Sequence, residues 1–175
     1  ETFYRRYGKD WYIYRHELLK KYLDRMTATM RATVPGVRVV NDYGSVFDAI
    51  SNLRGSVAFR DLNDSADGVK INDSHTFDHR FSMDVLGGTL GKSKFLANEV
   101  FYADFLAPTS FTRQINENFE HGAQMVTFLV STTRHIRRVE PQLREAARKW
   151  LPIPFKPLEY SVTVGYKLSV AVERN

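Results

Sequence analysis

A glycine-rich segment in the middle of the chain is the first candidate for chemistry. Residues 87–93 read GGTLGKS and end in Gly-Lys-Ser, as a phosphate-binding loop does. That loop needs the spacing G-x-x-x-x-G-K-[ST], and its first glycine would fall on Leu86. The residues that follow are predicted to form a strand, whereas bound phosphates sit at the N-terminus of a helix. The segment therefore predicts a turn between two strands, not a nucleotide site.

An Asp- and Asn-rich run is the second candidate, because it places Gly68 at the sixth position of a calcium-binding loop. Such a loop begins with Asp and ends with a bidentate Glu. Here Asn63 and Ser74 occupy those two positions. We interpret residues 61–74 as a solvated loop or hairpin tip.

Histidines and carboxylates near residue 80 give no site by spacing. On a strand, His75 and His79 would lie ~13 Å apart, too far to share a metal ion. Asp78 and Asp84 would lie ~20 Å apart, too far for an acid–base pair. The chain also has no cysteine, which excludes a thiolate zinc site and a Cys nucleophile. The sequence therefore predicts no catalytic residue, no cofactor, no metal ligand and no enzymatic activity. An enzyme whose residues meet only on folding stays an open alternative.

Two basic clusters are candidates for contact with an anionic partner. Arg5 and Arg6 are interleaved with aromatic residues, a composition that suits base stacking and phosphate contacts. Arg134, Arg137 and Arg138 form the second cluster. No named nucleic-acid motif accompanies them, so nucleic-acid binding is the alternative function and not the first.

Composition fits a single packed domain over residues 1–175. The chain is 43% hydrophobic and 26% charged, with a net charge of +5. No apolar run approaches the ~20 residues that a membrane span needs, and we expect no membrane partner. The balance of charge favours anionic partners only mildly.

Hydrophobic periodicity predicts the elements. Apolar residues at helical spacing predict a helix over 10–33, and strict alternation predicts strands over 77–85, 95–106 and 158–172. The strands 77–85 and 95–106, joined by a turn at 87–94, would form a long antiparallel hairpin. Further elements are expected as a strand at 37–40, a helix at 110–121, a strand at 124–131 and a helix beginning at Pro141. The predicted fold class is α+β, with a mixed or antiparallel sheet, a long central β-hairpin and two to four packed helices.

The ends of the chain suggest contacts with neighbouring subunits. Residues 1–9 are predicted to be an extended arm. The residues in and just after this arm that are expected to contact a neighbouring subunit are Phe3, Tyr4, Tyr7 and Trp11. Long strands at sheet edges need a partner or a cover. We therefore expect a homo-oligomer or neighbouring structural proteins as partners.

The layout of these elements resembles the small ring-forming virion proteins of tailed bacteriophages. The features that carry the resemblance are the opening helix WYIYRHELLKKYL, the central hairpin, the helix REAARKWL and the closing strand YSVTVGYKLSVAV. The resemblance implies a non-enzymatic structural or assembly subunit of a phage tail or neck, located in the virion or otherwise in the cytoplasm. It transfers no functional residue.

Overall fold

A computed structural model describes residues 2–44, 59–74, 78–91, 93–101, 108–129 and 133–156 of the chain. Its helices are α1 (Thr2–Thr33), α2 (Phe59–Leu62), α3 (His79–Leu90), α4 (Pro108–Glu120) and α5 (Thr133–Trp150). Its strands are β1 (Val40–Asp42), β2 (Gly68–Ser74), β3 (Phe95–Phe101) and β4 (Met125–Phe128). Within these residues strands and helices alternate, which is the pattern of an α/β protein.

The four strands form one sheet in the order β1-β2-β3-β4, and each neighbouring pair is parallel. Parallel neighbours cannot be joined by a tight turn and need a crossover, which α3 and α4 provide. The predicted mixed or antiparallel sheet with a long central hairpin is therefore wrong.

Helix α3 replaces the strand predicted over residues 77–85. Asp78 caps its first turn and accepts hydrogen bonds from the backbone N–H groups of Arg80 and Phe81. The Arg80 guanidinium bonded to Asp78 lowers the pKa of that carboxyl to about 2. The helix ends at Gly91, whose φ of +82° suits a residue without a Cβ. A run that alternates at period two thus also fits a capped helix.

Other elements differ from the predictions in extent. The predicted loop 61–74 contains the end of α2 and all of β2, and residues 2–9 of the predicted arm 1–9 are the first part of α1. Helix α5 begins at Thr133 and runs through Pro141, where a helix start was predicted. The helix predicted over 10–33 is confirmed throughout, and the strands beginning at Phe95 and near Gln124 and the helix near Ser110 are also confirmed. The predicted strand 158–172 lies outside the described residues.

One face of the sheet, called here the helix face, packs against α3, α4 and α5. Its strand residues are Val69, Ile71, Asp73, Leu96, Asn98, Val100, Val126 and Phe128. Helix α3 buries Met83, Leu86 and Leu90 against the β2 and β3 part of this face. Helices α4 and α5 bury Phe111, Ile115 and Val139 near Val100. The hydrophobic core of the described chain lies between this face and the helices.

The opposite face, called here the lysine face, takes the intervening residues. They are Val40, Asp42, Gly68, Lys70, Asn72, Phe95, Ala97, Glu99, Met125 and Thr127. None of them belongs to either hydrophobic core cluster of the described residues. Parallel strands in sequential order with their helices on a single face are the arrangement found in the wall of a (β/α) barrel, where the opposite face lines the interior.

The amino end of the sheet is held by polar contacts of one loop. The carboxylate of Asp67 accepts hydrogen bonds from the backbone of Val39 at 2.8 Å and from Arg31 at 2.9 Å. Lys94 donates to three carbonyl oxygens of residues 63–66. Gly68 lies so close to β3 that a Cβ would be 2.2 Å from the carbonyl oxygen of Phe95. These contacts fix where β1, β2 and β3 begin, and therefore the register of the residues that follow.

Candidate functional site

A lysine with two carboxylates stands at the centre of the lysine face. The Nζ of Lys70 donates to Asp42 Oδ2 at 3.1 Å, to Glu99 Oε2 at 2.9 Å and to Asn72 Oδ1 at 2.6 Å. Thr127 donates to Glu99 Oε2 at 3.3 Å. Two side chains from β2 and one from each of the other three strands thus join a single cluster.

Parallel register brings these residues together. Asp42 is the register partner of Lys70, and Glu99 is the partner of Asn72 on one side and of Thr127 on the other. Register partners in neighbouring strands point to the same face. The cluster therefore follows from backbone pairing, not from proximity along the chain.

Lys70 is a fixed positive charge. Partial burial lowers the pKa of its amine, but hydrogen bonds with Glu99 and Asp42 outweigh that effect, and the pKa lies above its usual value. A lysine that attacks substrate as a free amine needs a lowered pKa. The contacts of Lys70 therefore suit an ammonium that holds carboxylates better than a covalent nucleophile.

The two carboxylates differ in exposure. The Glu99 side chain is 19% exposed and the Asp42 side chain 56%. Because both bond the same ammonium, their bonded oxygens lie within about 6 Å of each other, a range that includes the separation of paired carboxylates in retaining glycosidases. A half-buried carboxylate beside an exposed one gives two groups in different environments, which suits separate acid and base roles.

The cluster lies toward the carboxyl ends of the strands. Asp42 is the last residue of β1, Glu99 comes near the end of β3, and Thr127 near the end of β4. Residues nearer the amino ends of the same face, such as Val40 and Ala97, are apolar. In parallel α/β folds, substrates bind at the carboxyl ends of the strands.

A second polar network lies directly behind the cluster, on the helix face. Asn98 Nδ2 donates to Asn118 Oδ1 at 2.8 Å and to Asp73 Oδ2 at 3.2 Å. Asn118 Nδ2 in turn donates to His79 Nδ1 at 2.8 Å. All four side chains are fully buried. His79 accepts at Nδ1, so this network connects the imidazole at the start of α3 to α4.

A polar cavity of about 350 Å³ opens at the other end of the sheet. Its lining includes Arg38, Asp67, Lys94 and Gln124, which lie near the amino ends of the strands. Lys94 and Asp67 there are engaged in contacts that hold the fold. At this end of a parallel sheet, polar residues typically serve stability and not catalysis.

The predicted contact residues of the N-terminal region lie on α1. The rings of Phe3, Tyr7 and Trp11 are exposed and packed on one another, with centroids 5.5 and 6.1 Å from that of Phe3. Arg5 and Arg6 are exposed on the same helix, and the Arg6 guanidinium lies 5.4 Å from the ring centroid of Tyr7. The side chain of Tyr4 lies outside the described residues. Stacking at four-residue spacing favours a helix here over an extended arm.

The second basic cluster, Arg134, Arg137 and Arg138, is exposed on the first turns of α5. It therefore lies on a different helix from Arg5 and Arg6, and contact of either cluster with an anionic partner stays a prediction. No helix in the described ranges is long and apolar enough to cross a membrane. In those same ranges, no three metal-ligating side chains converge on one point.

The sequence interpretation missed Asp42, Lys70 and Glu99. A signal was present in β3, where the polar pair Asn98-Glu99 interrupts an otherwise apolar strand. Two adjacent polar residues in a buried strand point to opposite faces of the sheet, so each side chain needs a hydrogen-bond partner on its own face. Residues 68–72 carried a similar alternation, hidden by the interpretation of that run as a loop.

No protein-family model matches the chain, and no curated protein matches it. Among solved structures, the chain is similar to the apo form of a "putative deoxyribose-phosphate aldolase" from Toxoplasma gondii ME49. The two are 14% identical with a TM-score of 0.43, and the match covers 88% of this chain and 69% of the other. At this level of similarity the match supports no argument about function.

The parallel sheet overturns the predicted function as a phage structural subunit. That prediction depended on a long hairpin and an extended arm, and the structure has helix α3 and the start of α1 in their places. The prediction was wrong. The virion location and oligomeric partners that accompanied it are untested.

Proposed function

We propose that this chain carries the active site of an enzyme at the carboxyl ends of its parallel strands, with Glu99 as the reacting carboxylate. The observation that carries the proposal is the cluster of Asp42, Lys70 and Glu99 on the lysine face, opposite the face that packs against α3, α4 and α5. The prediction from the sequence that the protein is not an enzyme is untested, and the proposed active site replaces it here.

The cluster supports acid–base or nucleophilic chemistry at Glu99. Lys70 and Thr127 both bond Glu99 Oε2, which holds the carboxylate in place through one of its oxygens. Asp42 supplies a second, more exposed carboxylate within reach. Glycosidases cleave glycosidic bonds with a pair of carboxylates, and the bonded oxygens of Asp42 and Glu99 lie within about 6 Å of each other, so a hydroxyl-rich substrate such as a glycoside is the first class to test.

The polar groups around Glu99 suit such a substrate. Asn72 and Thr127 offer an amide and a hydroxyl, each partly exposed, at the level of Glu99 in the sheet. Sugar hydroxyls both donate and accept hydrogen bonds, as amides and hydroxyl side chains do. A positive charge from Lys70 between two negative charges leaves the cluster with a net negative charge, which favours positive charge developing in a transition state.

The test compares two carboxylates that each bond a lysine. Glu99→Gln keeps the size of the side chain and removes its charge, whereas Glu120→Gln does the same to the exposed Glu120, which lies 3.3 Å from Lys149. We expect hydrolysis of chromogenic aryl glycosides by the native chain, a loss of about 10²–10⁴-fold in kcat for Glu99→Gln, and native rates for Glu120→Gln. Full activity in Glu99→Gln, or no hydrolysis of any aryl glycoside by the native chain, would overturn the proposal.

A further inference from the structure

Each carboxylate of the cluster has a buried asparagine on the opposite side of its strand. Successive residues of a strand point to opposite faces, so the neighbours of Asp42 and Glu99 point to the helix face. There, Asn63 meets the neighbours of Asp42, and Asn118 meets the neighbour of Glu99. Both asparagines are fully buried, and neither belongs to a strand.

Asn63 holds β1 on both sides of Asp42. Its Oδ1 accepts a hydrogen bond from Asn41 Nδ2 at 2.8 Å and another from the hydroxyl of Tyr43 at 3.2 Å. These residues directly precede and follow Asp42. Strand β1 has only three residues, so a side chain that bonds both flanking positions accounts for much of what fixes its rotation.

Asn118 holds β3 beside Glu99. Its Oδ1 accepts from Asn98 Nδ2 at 2.8 Å, while its Nδ2 donates to the carbonyl of Gln114 at 2.9 Å and to His79 at 2.8 Å. Asn98 is the residue that precedes Glu99. The amide therefore connects β3 to α4 and α3 from within the apolar layer.

An amide suits this position because it bridges polar groups without adding a charge. A buried polar group must keep its hydrogen bonds, since losing one leaves its partner unsatisfied. An apolar side chain at position 118 would remove this partner of Asn98 and leave its longer bonds to Asp73, at 3.2 and 3.3 Å, so we expect β3 to shift. Glu99 directly follows Asn98 in β3, so a shift of the strand at Asn98 would also displace Glu99.

We infer that Asn63 and Asn118 are positioning residues that hold Asp42 and Glu99 at hydrogen-bonding distance from Lys70 across the sheet. The inference gives the proposed active site its supporting residues and rests on that proposal for its relevance to catalysis. The geometric part does not depend on any substrate. A displacement of about 1 Å at a reacting group can cost 10²-fold in rate, so this support has catalytic weight.

The test follows the titration of the Lys70 amine by NMR, with its signals assigned through Lys70→Arg. The two carboxylate bonds raise the pKa of Lys70, so loosening either one should lower the measured value. We expect a downward shift of about half a unit or more in Asn63→Ala and in Asn118→Ala. Because the readout needs no substrate, it stays informative even where Glu99→Gln disproves the proposed reaction.

Controls separate positioning from general loss of stability. Leu86→Ala removes a buried side chain from α3, and we expect it to lower stability while leaving the Lys70 titration unchanged. If an alanine variant does not fold, Tyr43→Phe removes one of the two bonds to Asn63 with little change in shape, and a smaller downward shift is expected.

The inference fails if the asparagine variants titrate like Leu86→Ala. It also fails if Asn63→Ala and Tyr43→Phe both leave the native titration unchanged, because the accepting oxygen of Asn63 would then have no part in placing Asp42.

Discussion

The two faces of the β-sheet use polar residues in opposite ways. The helix face places amides, a histidine and the carboxyl of Asp73 inside an apolar layer, where all of them are fully buried and hydrogen-bonded to one another. The lysine face places full charges near the carboxyl ends of the strands, where Asp42 and Glu99 stay partly exposed. A fully buried polar group must keep its hydrogen bonds within the protein, whereas a partly exposed one can also reach solvent. This difference suggests that the helix face holds the strands in place and that the lysine face carries the proposed active site.

The backbone connects the two faces residue by residue. Asn98 and Glu99 are adjacent in β3, and one serves the buried network while the other joins the charged cluster. An ordered charge constellation on a partly exposed surface needs rigid support, because its own ion pairs contribute little in solvent. The helix face provides that support from behind.

The largest expected difference between the faces comes from truncating one apolar side chain on each. Phe111 is fully buried under the sheet, and its ring meets Phe128 edge-on at 5.6 Å. Phe111→Ala should lower the free energy of unfolding by about 3–5 kcal/mol in urea denaturation. Met125 lies on the lysine face and is 38% exposed, so Met125→Ala should cost less than about 1 kcal/mol. A large loss in Met125→Ala would show that the lysine face is packed against another surface.

Much of the helix layer could be predicted from the sequence, because amphipathic helices carry their signal locally. The stripe in α1 and the apolar positions of α4 both indicated helices near their observed places. The direction of the strands could not be predicted, because the segment 79–90 satisfies two periods at once. His79, Phe81, Met83 and Val85 alternate as in a strand, while His79, Met83, Leu86 and Leu90 form one side of a helix. Once that segment was interpreted as a strand, a short turn to β3 and an antiparallel pair followed.

The candidate site could not be predicted from the sequence for a different reason. Asp42, Lys70 and Glu99 are in three strands, separated along the chain by crossovers, and their meeting depends on parallel register. An antiparallel arrangement of the same strands would place other residues opposite Lys70. Residue types alone pointed instead to the arginine clusters, which are conspicuous because they are close in sequence and exposed.

A second contrast compares the cluster lysine with a surface lysine. Lys70 is 14% exposed and bonds two carboxylates, whereas Lys20 is 29% exposed and pairs with Asp24 one helical turn away. Lys70→Met should lower the free energy of unfolding by about 1–3 kcal/mol, because Asp42 and Glu99 would then repel each other without a counter-charge. Lys20→Met should cost about 0.5 kcal/mol or less.

Chemical denaturation of the two lysine variants at low and high salt measures this contrast. Surface pairs are screened by salt more than partly buried ones. The small effect of Lys20→Met should therefore vanish at high salt, while most of the effect of Lys70→Met remains. Equal losses in the two variants would mean that the cluster on the lysine face is held no better than an ordinary surface ion pair.

The smallest expected effect concerns the phenol behind Asp42 and appears only at high pH. Burial raises the pKa of Tyr43 to about 12 from its ordinary value of 10. The folded chain therefore keeps a proton that the unfolded chain releases between pH 10 and pH 12. Unfolding becomes easier as the pH rises through that window, and the contribution is fully present below pH 10. Since the ring is partly exposed, we expect a loss of about 1 kcal/mol across the window.

Tyr43→Phe isolates that contribution, because phenylalanine has no proton to release. The free energy of unfolding of this variant, measured by urea denaturation at several pH values, should fall less steeply between pH 10 and pH 12 than that of the native chain. Tyr22→Phe is the matched control, since Tyr22 is 57% exposed on α1 and its removal should leave the native slope. If Tyr43→Phe keeps the native slope, the phenol does not hold its proton in the folded chain. Tyr43 would then be less buried than the structure shows, and its hydroxyl would be a weaker partner for Asn63 Oδ1 in placing Asp42.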